Sequence, residues 1–226
     1  MVPSALSSLR NFTSIALERS LASATLTTVH AAVPLTILEA IQHLDAPVED
    51  GLDEFHTELA GKRLGMSGTV AAQIDRYRRI ADREKRVDLE EVAALFRLVG
   101  RRGDAGLVFA NAGRRAGRRA VSVLRSPSVL ALRGIPRFAR NGVGYAVARR
   151  AVRIFDAMVE RDSARARFTI LDPPSALSTP AGVGCGFYGS GMAEILRAVT
   201  DFEGALFHVQ CRSRGDAFCL WSNRES

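Results

Sequence analysis

Gly184-Cys-Gly-Phe-Tyr-Gly-Ser-Gly-Met-Ala-Glu-Ile-Leu196, followed by Gly204-Ala-Leu-Phe-His-Val-Gln-Cys-Arg-Ser-Arg-Gly215 and Asp216-Ala-Phe-Cys-Leu-Trp221, decides how this chain is read. The first stretch has helical spacing over residues 186–200. The next two read as short strands joined by a Gly-Asp turn, so a helix followed by an antiparallel hairpin is expected. All three cysteines of the chain fall here, and with His208 they form a set spaced 23, 3 and 8 residues apart: Cys185, His208, Cys211 and Cys219. A hairpin brings the last three together, and Cys185 at the head of the helix would close the group. Three thiolates and an imidazole are a donor set for a tetrahedral structural zinc site. The same cysteines could equally be small buried hydrophobes, and the spacing matches none of the common zinc-finger patterns. From the residues alone both readings stay open.

These segments, with Cys211, Gly215 and Cys219 in the hairpin, resemble the C-terminal signature of the 4-vinyl-reductase (hydrocarbon-binding) domain. That family includes bacteriochlorophyll-pathway proteins and the phenol-sensing domains of aromatic-responsive transcriptional activators. It is similar in fold to TRAPP trafficking subunits and to heme-nitric-oxide-binding domains. The resemblance covers about residues 165–222 and extends more loosely from about residue 88. It implies a zinc ion held by one cysteine before the last long helix and by an acidic residue and two cysteines on the final hairpin. Cys185, Cys211 and Cys219 match the three thiols in order, and His208 stands where the family has the acid. It also implies an apolar pocket for a hydrocarbon or aromatic ligand. The Trp and His associated with phenol recognition have no counterparts in this chain, which points away from phenol itself.

The pocket residues implied in this way are Phe109, Tyr145, Phe155, Phe168, Phe187, Tyr188, Met192 and Phe207, expected on the inner faces of helices and sheet. Ordinary core packing is the competing reading for each. A small-molecule pocket needs apolar walls and one or two polar groups, which Tyr145 and Tyr188 could supply.

Upstream, helical periodicity dominates. Residues 5–44 read as two helices, the second with Val33, Ile37, Leu38, Ile41 and Leu44 on one face and Pro34 near its start, where proline is tolerated. A linker follows at 46–51. Asp88 is a natural N-cap for Leu89–Val99, with Glu91 completing a capping box. Arg101-Arg-Gly-Asp-Ala-Gly106 is a turn, Ala105–Leu124 a helix, and Ser126-Pro127 and Gly134-Ile-Pro136 are breaks. Val143–Arg161 reads as a helix, Arg167–Leu171 as a strand and Asp172–Pro180 as a loop. The order predicts an α+β fold, helix-rich at the start and then a small antiparallel sheet packed by helices. Three parts are expected: a helical extension over 1–50 for dimerisation or partner contact, a helical region over 51–100, and the small-molecule-binding domain over 101–226.

Arginine supplies nearly all the positive charge. Of 31 Lys+Arg only Lys62 and Lys85 are lysine, against 24 Asp+Glu, giving a formal charge of +7. Arg114, Arg115, Arg118 and Arg119 form a basic stripe on one helix, and Arg76, Arg78 and Arg79 follow a segment over 58–79 that nearly matches a helix-turn-helix. Solvated faces are the plain reading of such runs, and acidic ligands or nucleic acid the alternatives. No phosphate loop, nucleophile elbow or His-Glu-x-x-His motif occurs, and His30, His43 and His56 are scattered without a neighbouring nucleophile. The apolar run at 31–41 is interrupted by Pro34, Thr36 and Glu39, too polar to span a bilayer. With no secretion signal and an odd cysteine count, a cytoplasmic setting is expected. The reading that follows is a homodimeric ligand sensor with a structural zinc. The alternatives are a DNA-binding regulator and an accessory protein of tetrapyrrole metabolism, and catalysis is the less favoured role.

Overall fold

Small residues at helical spacing let two helices touch backbone to backbone, and this contact organises the molecule. The computed structural model describes residues 27–46, 67–124, 137–162 and 165–223. The helix expected before residue 27, most of the linker at 46–51, His56, residues 58–66 of the helix-turn-helix-like segment and the breaks at 126–127 and 134–136 lie outside them.

The elements run β1 (Thr28–His30), α1 (Ala32–Asp45), α2 (Gly68–Ala81), β2 (Arg86–Asp88), α3 (Leu89–Gly100), α4 (Ala105–Val123) and α5 (Arg137–Ala151). A 3-10 turn (Val152–Phe155) leads to β3 (Met158–Asp162) and β4 (Arg165–Ile170). Then come α6 (Pro174–Ser178), a 3-10 segment (Pro180–Cys185), α7 (Gly186–Val199), β5 (Phe207–Gln210) and β6 (Cys219–Ser222). The α+β architecture is as expected: helices dominate, and two small antiparallel sheets pack with them, β1-β2 and β3-β4-β6-β5.

Three local outcomes differ from the sequence reading. Thr28–His30 is a strand paired with Arg86–Asp88, not the end of a helix. Its short β-branched run gains a partner from a segment 58 residues away, which no local period announces. The helix read over Val143–Arg161 begins at Arg137 and stops by Phe155, where Asp156 turns left-handed at φ 54°; Met158–Asp162 then pairs with β4. Part of the loop at 172–180 is helical as well.

The Asp88 cap is present, its carboxylate accepting from the N–H groups of Glu90 (2.8 Å) and Glu91 (3.3 Å). The reciprocal half of the capping box is not. Glu91 instead accepts hydrogen bonds from Arg76 and Tyr77, joining α3 to α2.

Helix α4 lies between α1 and α7. A Cβ on Gly113 would stand 2.0 Å from the Phe187 carbonyl oxygen, and one on Gly117 2.5 Å from that of Gly191. Only glycine permits this approach. Gly144 of α5 meets the end of α7 in the same way, 2.0 Å from the Val199 oxygen. The buried apolar residues form one contiguous cluster from Val29 to Trp221. Arg102 forks between Asp45 (2.7 Å) and Asp104 (2.8 Å), tying the end of α1 to the α3–α4 turn.

Candidate metal centre

Strand pairing and one glycine turn build the cluster. In β6, Cys219 pairs with Ile170 of β4, and Trp221 stands opposite both Phe168 of β4 and His208 of β5. A bulge between His208 and Gln210 re-aims the end of β5, and the 3-10 turn at Arg212–Arg214 carries the chain back to β6. Cys185 arrives from the opposite side, closing the 3-10 segment ahead of α7. The four ligand-type atoms, Cys185 Sγ, Cys211 Sγ, Cys219 Sγ and one His208 ring nitrogen, all lie within 4.8 Å of one another. The cysteines are at most 1% exposed.

Their surroundings fit a cation. No disulfide joins the thiols. Cys185 Sγ is 3.2 Å from Ser175 Oγ, Cys211 Sγ is 2.9 Å from Ser213 Oγ, and the Arg212 N–H donates to Cys219 Sγ at 3.4 Å. A hydrogen bond from the Cys185 thiol, aided by His208, draws the Cys219 thiol down to about 4 against the cost of burial, and the same bond with burial pushes Cys185 up. The neighbours thus favour negative charge on the Cys219 sulfur over the Cys185 sulfur. His208 stacks on Trp221 with ring centroids 4.5 Å apart and planes 8° from parallel. Its Nε2 is buried without a hydrogen-bond partner. An unpaired buried nitrogen costs about 1–3 kcal/mol, a cost that metal ligation would remove.

Gly182 completes the cradle. It has φ 71°, and a Cβ there would lie 2.9 Å from Cys211 Sγ, 2.8 Å from Ser213 Oγ and 3.5 Å from Cys185 Sγ. Sequence reading missed Gly182, Ser175, Ser213 and Trp221. The glycine pair around Val183 was a signal for the first, whereas the serine contacts arise only from tertiary folding.

The aromatic set divides. Phe109, Phe155, Phe168, Phe187, Tyr188 and Met192 are buried, and several of the rings touch one another. Phe187 meets Tyr188 at 5.1 Å and Phe155 at 5.6 Å, and Phe96, which the sequence reading did not include, stacks on Phe109 at 5.1 Å. The cleft beside Phe155 and Tyr188 has a volume of about 10 Å³, about the space of one water probe. Phe207 does not join them: the residue is 41% exposed at the start of β5. Tyr145 is half-buried beneath the Arg161 guanidinium, 5.1 Å away.

The arginines are largely engaged. Arg76 pairs with Glu91, Arg78 with Glu39 and Asp75, Arg118 with Glu194 and Arg119 with Asp82, and Arg115 donates to Asn111. Arg114 lines a groove of about 280 Å³ beside His208 and Trp221, and Arg79 is exposed. Among the described residues no helix is long and apolar enough to cross a membrane. No known protein family, no curated protein and no solved structure matches the chain.

Proposed function

We propose that Cys185, His208, Cys211 and Cys219 hold a structural zinc ion, and that the domain it braces is a small-molecule-binding regulatory module. The observation that carries the zinc assignment is the convergence of three thiols and an imidazole nitrogen within 4.8 Å of one another. Zn–S bonds of about 2.3 Å make a tetrahedron with edges of about 3.8 Å, inside that envelope. Soft thiolates with one imidazole favour zinc over calcium or magnesium. Four protein ligands complete a tetrahedron, so the ion braces rather than catalyses.

The bracing links the head of α7 to the β5–β6 hairpin. Hairpins of four-residue strands have little stability of their own, and α7 carries the contact with α4. The metal therefore ties the sheet to the helical core.

The regulatory part of the reading is supported by the resemblance of residues 165–222 to hydrocarbon-binding sensor domains. In that reading, ligand burial shifts a population recognised by a partner. Zinc-loaded protein should gain thermal stability with a subset of a library of small aromatic and aliphatic compounds. A library with no stabilising compound would remove the sensor reading and leave the metal assignment standing. Duplex-DNA binding through Arg76, Arg78 and Arg79 is less favoured, because Arg76 and Arg78 are already ion-paired.

A further inference from the structure

A second site lies away from the metal, where β1, the α2–β2 turn and the C-terminal ends of α4 and α5 meet. They enclose a cavity of about 360 Å³, within the usual range of small-molecule sites of about 300–1,000 Å³. Its polar lining is His30, Glu84, Arg86, Arg119, Arg150 and Arg153. Ala120, Val123, Leu124 and Ile154 supply an apolar wall.

The charges are not self-cancelling. Arg86 is held in place by a bidentate pair with Asp156 (3.0 and 2.7 Å) and donates to the Thr28 carbonyl. Arg119 pairs with Asp82. Arg150 and Arg153 have no ion-pair partner among the described residues, and Glu84 is the one carboxylate in the lining.

His30 adds an independent observation. The Ala32 N–H donates to its Nδ1 at 3.1 Å, and burial holds the imidazole below its ordinary pKa. The neutral ring therefore carries its proton on Nε2. That nitrogen is buried, and its nearest charged neighbour is the Glu84 carboxylate, 3.4 Å away and too poorly aligned for a full hydrogen bond. Glu84 itself has φ 54° and a side chain 53% exposed, so it sits on the rim and can move aside. A buried imidazole donor whose nearest acceptor is one movable rim carboxylate, sharing a lining with two guanidinium groups and an apolar wall, suits an anion with a hydrocarbon body.

We propose that this cavity binds a small amphiphilic anion, a phosphate or carboxylate head on a short hydrocarbon chain. The head takes the donors of Arg150, Arg153 and His30, displacing the Glu84 side chain, and the body lies along Val123, Leu124 and Ile154. The site goes beyond the reading above and uses none of the metal ligands.

Calorimetric titration of the full chain with hexyl phosphate, inorganic phosphate and hexanol tests it, with metal content measured on the same sample. Hexyl phosphate should bind at least about tenfold tighter than either fragment. Arg150 and Arg153 are exposed and unpaired, so the R150A/R153A double variant should fold normally; it should lose about tenfold or more in affinity. E84Q should bind more tightly than the wild type, because the competing charge is gone. Failure of hexyl phosphate to bind overturns the proposal, as does equal binding by the double variant. Capture by phosphatidic acid vesicles without binding of soluble hexyl phosphate also overturns it and assigns these arginines to a membrane surface. Protein that keeps its metal but ignores hexyl phosphate refutes this inference alone; protein that binds hexyl phosphate yet takes up no zinc on incubation with the metal refutes the zinc reading alone.

Discussion

Ser175 and Ser213 touch two of the three sulfurs, so in the proposed site their hydroxyls would orient the sulfurs and not ligate. Replacing a group that supports a metal ligand costs about 10–100-fold in metal affinity. S175A and S213A should each fall in that range in a competition titration against a chromogenic chelator, with the folded circular dichroism spectrum retained. Gly182→Ala should act more strongly. It forces a left-handed alanine and puts a methyl 2.9 Å from Cys211 Sγ, so both strain and volume oppose the bound geometry. At this scale the sequence was most legible for the cluster of Cys185, His208, Cys211 and Cys219. Cysteine and histidine are chemically scarce, so their clustering was visible before any fold. The serines are chemically ordinary, and only the folded chain distinguishes them.

Helix pairing is where glycine position decides stability. Gly113→Ala would gain about 1 kcal/mol in helix propensity. The added methyl, however, meets the Phe187 carbonyl at 2.0 Å, and overpacking of that kind costs about 1–3 kcal/mol. Gly106 lies in the same helix with nothing within 4 Å of an added Cβ. Chemical denaturation should therefore show G113A less stable than wild type and G106A more stable by about 0.4–1 kcal/mol. Equal effects would deny the close crossing of α4 and α7. The helices themselves were legible: the Asp88 cap and the helix from Leu89 fall as read, and the turn read over Arg101–Gly106 ends at Asp104, after which α4 begins. The β1 and β3 strands were not, because each owes its conformation to a partner strand and not to its own period. The Gly113–Ala120 segment was read for its arginines alone, yet its small residues face α7 and set the helix crossing.

Across the whole molecule, the buried cluster runs from Val29 to Trp221, so bracing at one end should be felt throughout. Removing zinc with a strong chelator should lower the thermal midpoint by several degrees, at about 4–8 °C per kcal/mol for a domain of 60–100 residues and less for a larger one. Trp221 is the sole tryptophan and stacks on His208, so its emission should change as the metal leaves. An unchanged midpoint together with unchanged emission would place any bound metal elsewhere. The α+β architecture was legible as a whole from the order of periodic segments, and the pairing β3-β4-β6-β5 only in part. The hairpin announced itself through its turn, whereas the non-local β4–β6 pair has no sequence signal.

Metal stoichiometry measured alongside thiol accessibility tests the proposed metal site most directly. Protein purified without added chelator should carry one zinc per chain, with all three cysteines shielded from a thiol reagent until the metal is removed. The C211S variant should carry little or none. Wild-type protein with no zinc and three freely titrating thiols, even after incubation with the metal, would contradict the account.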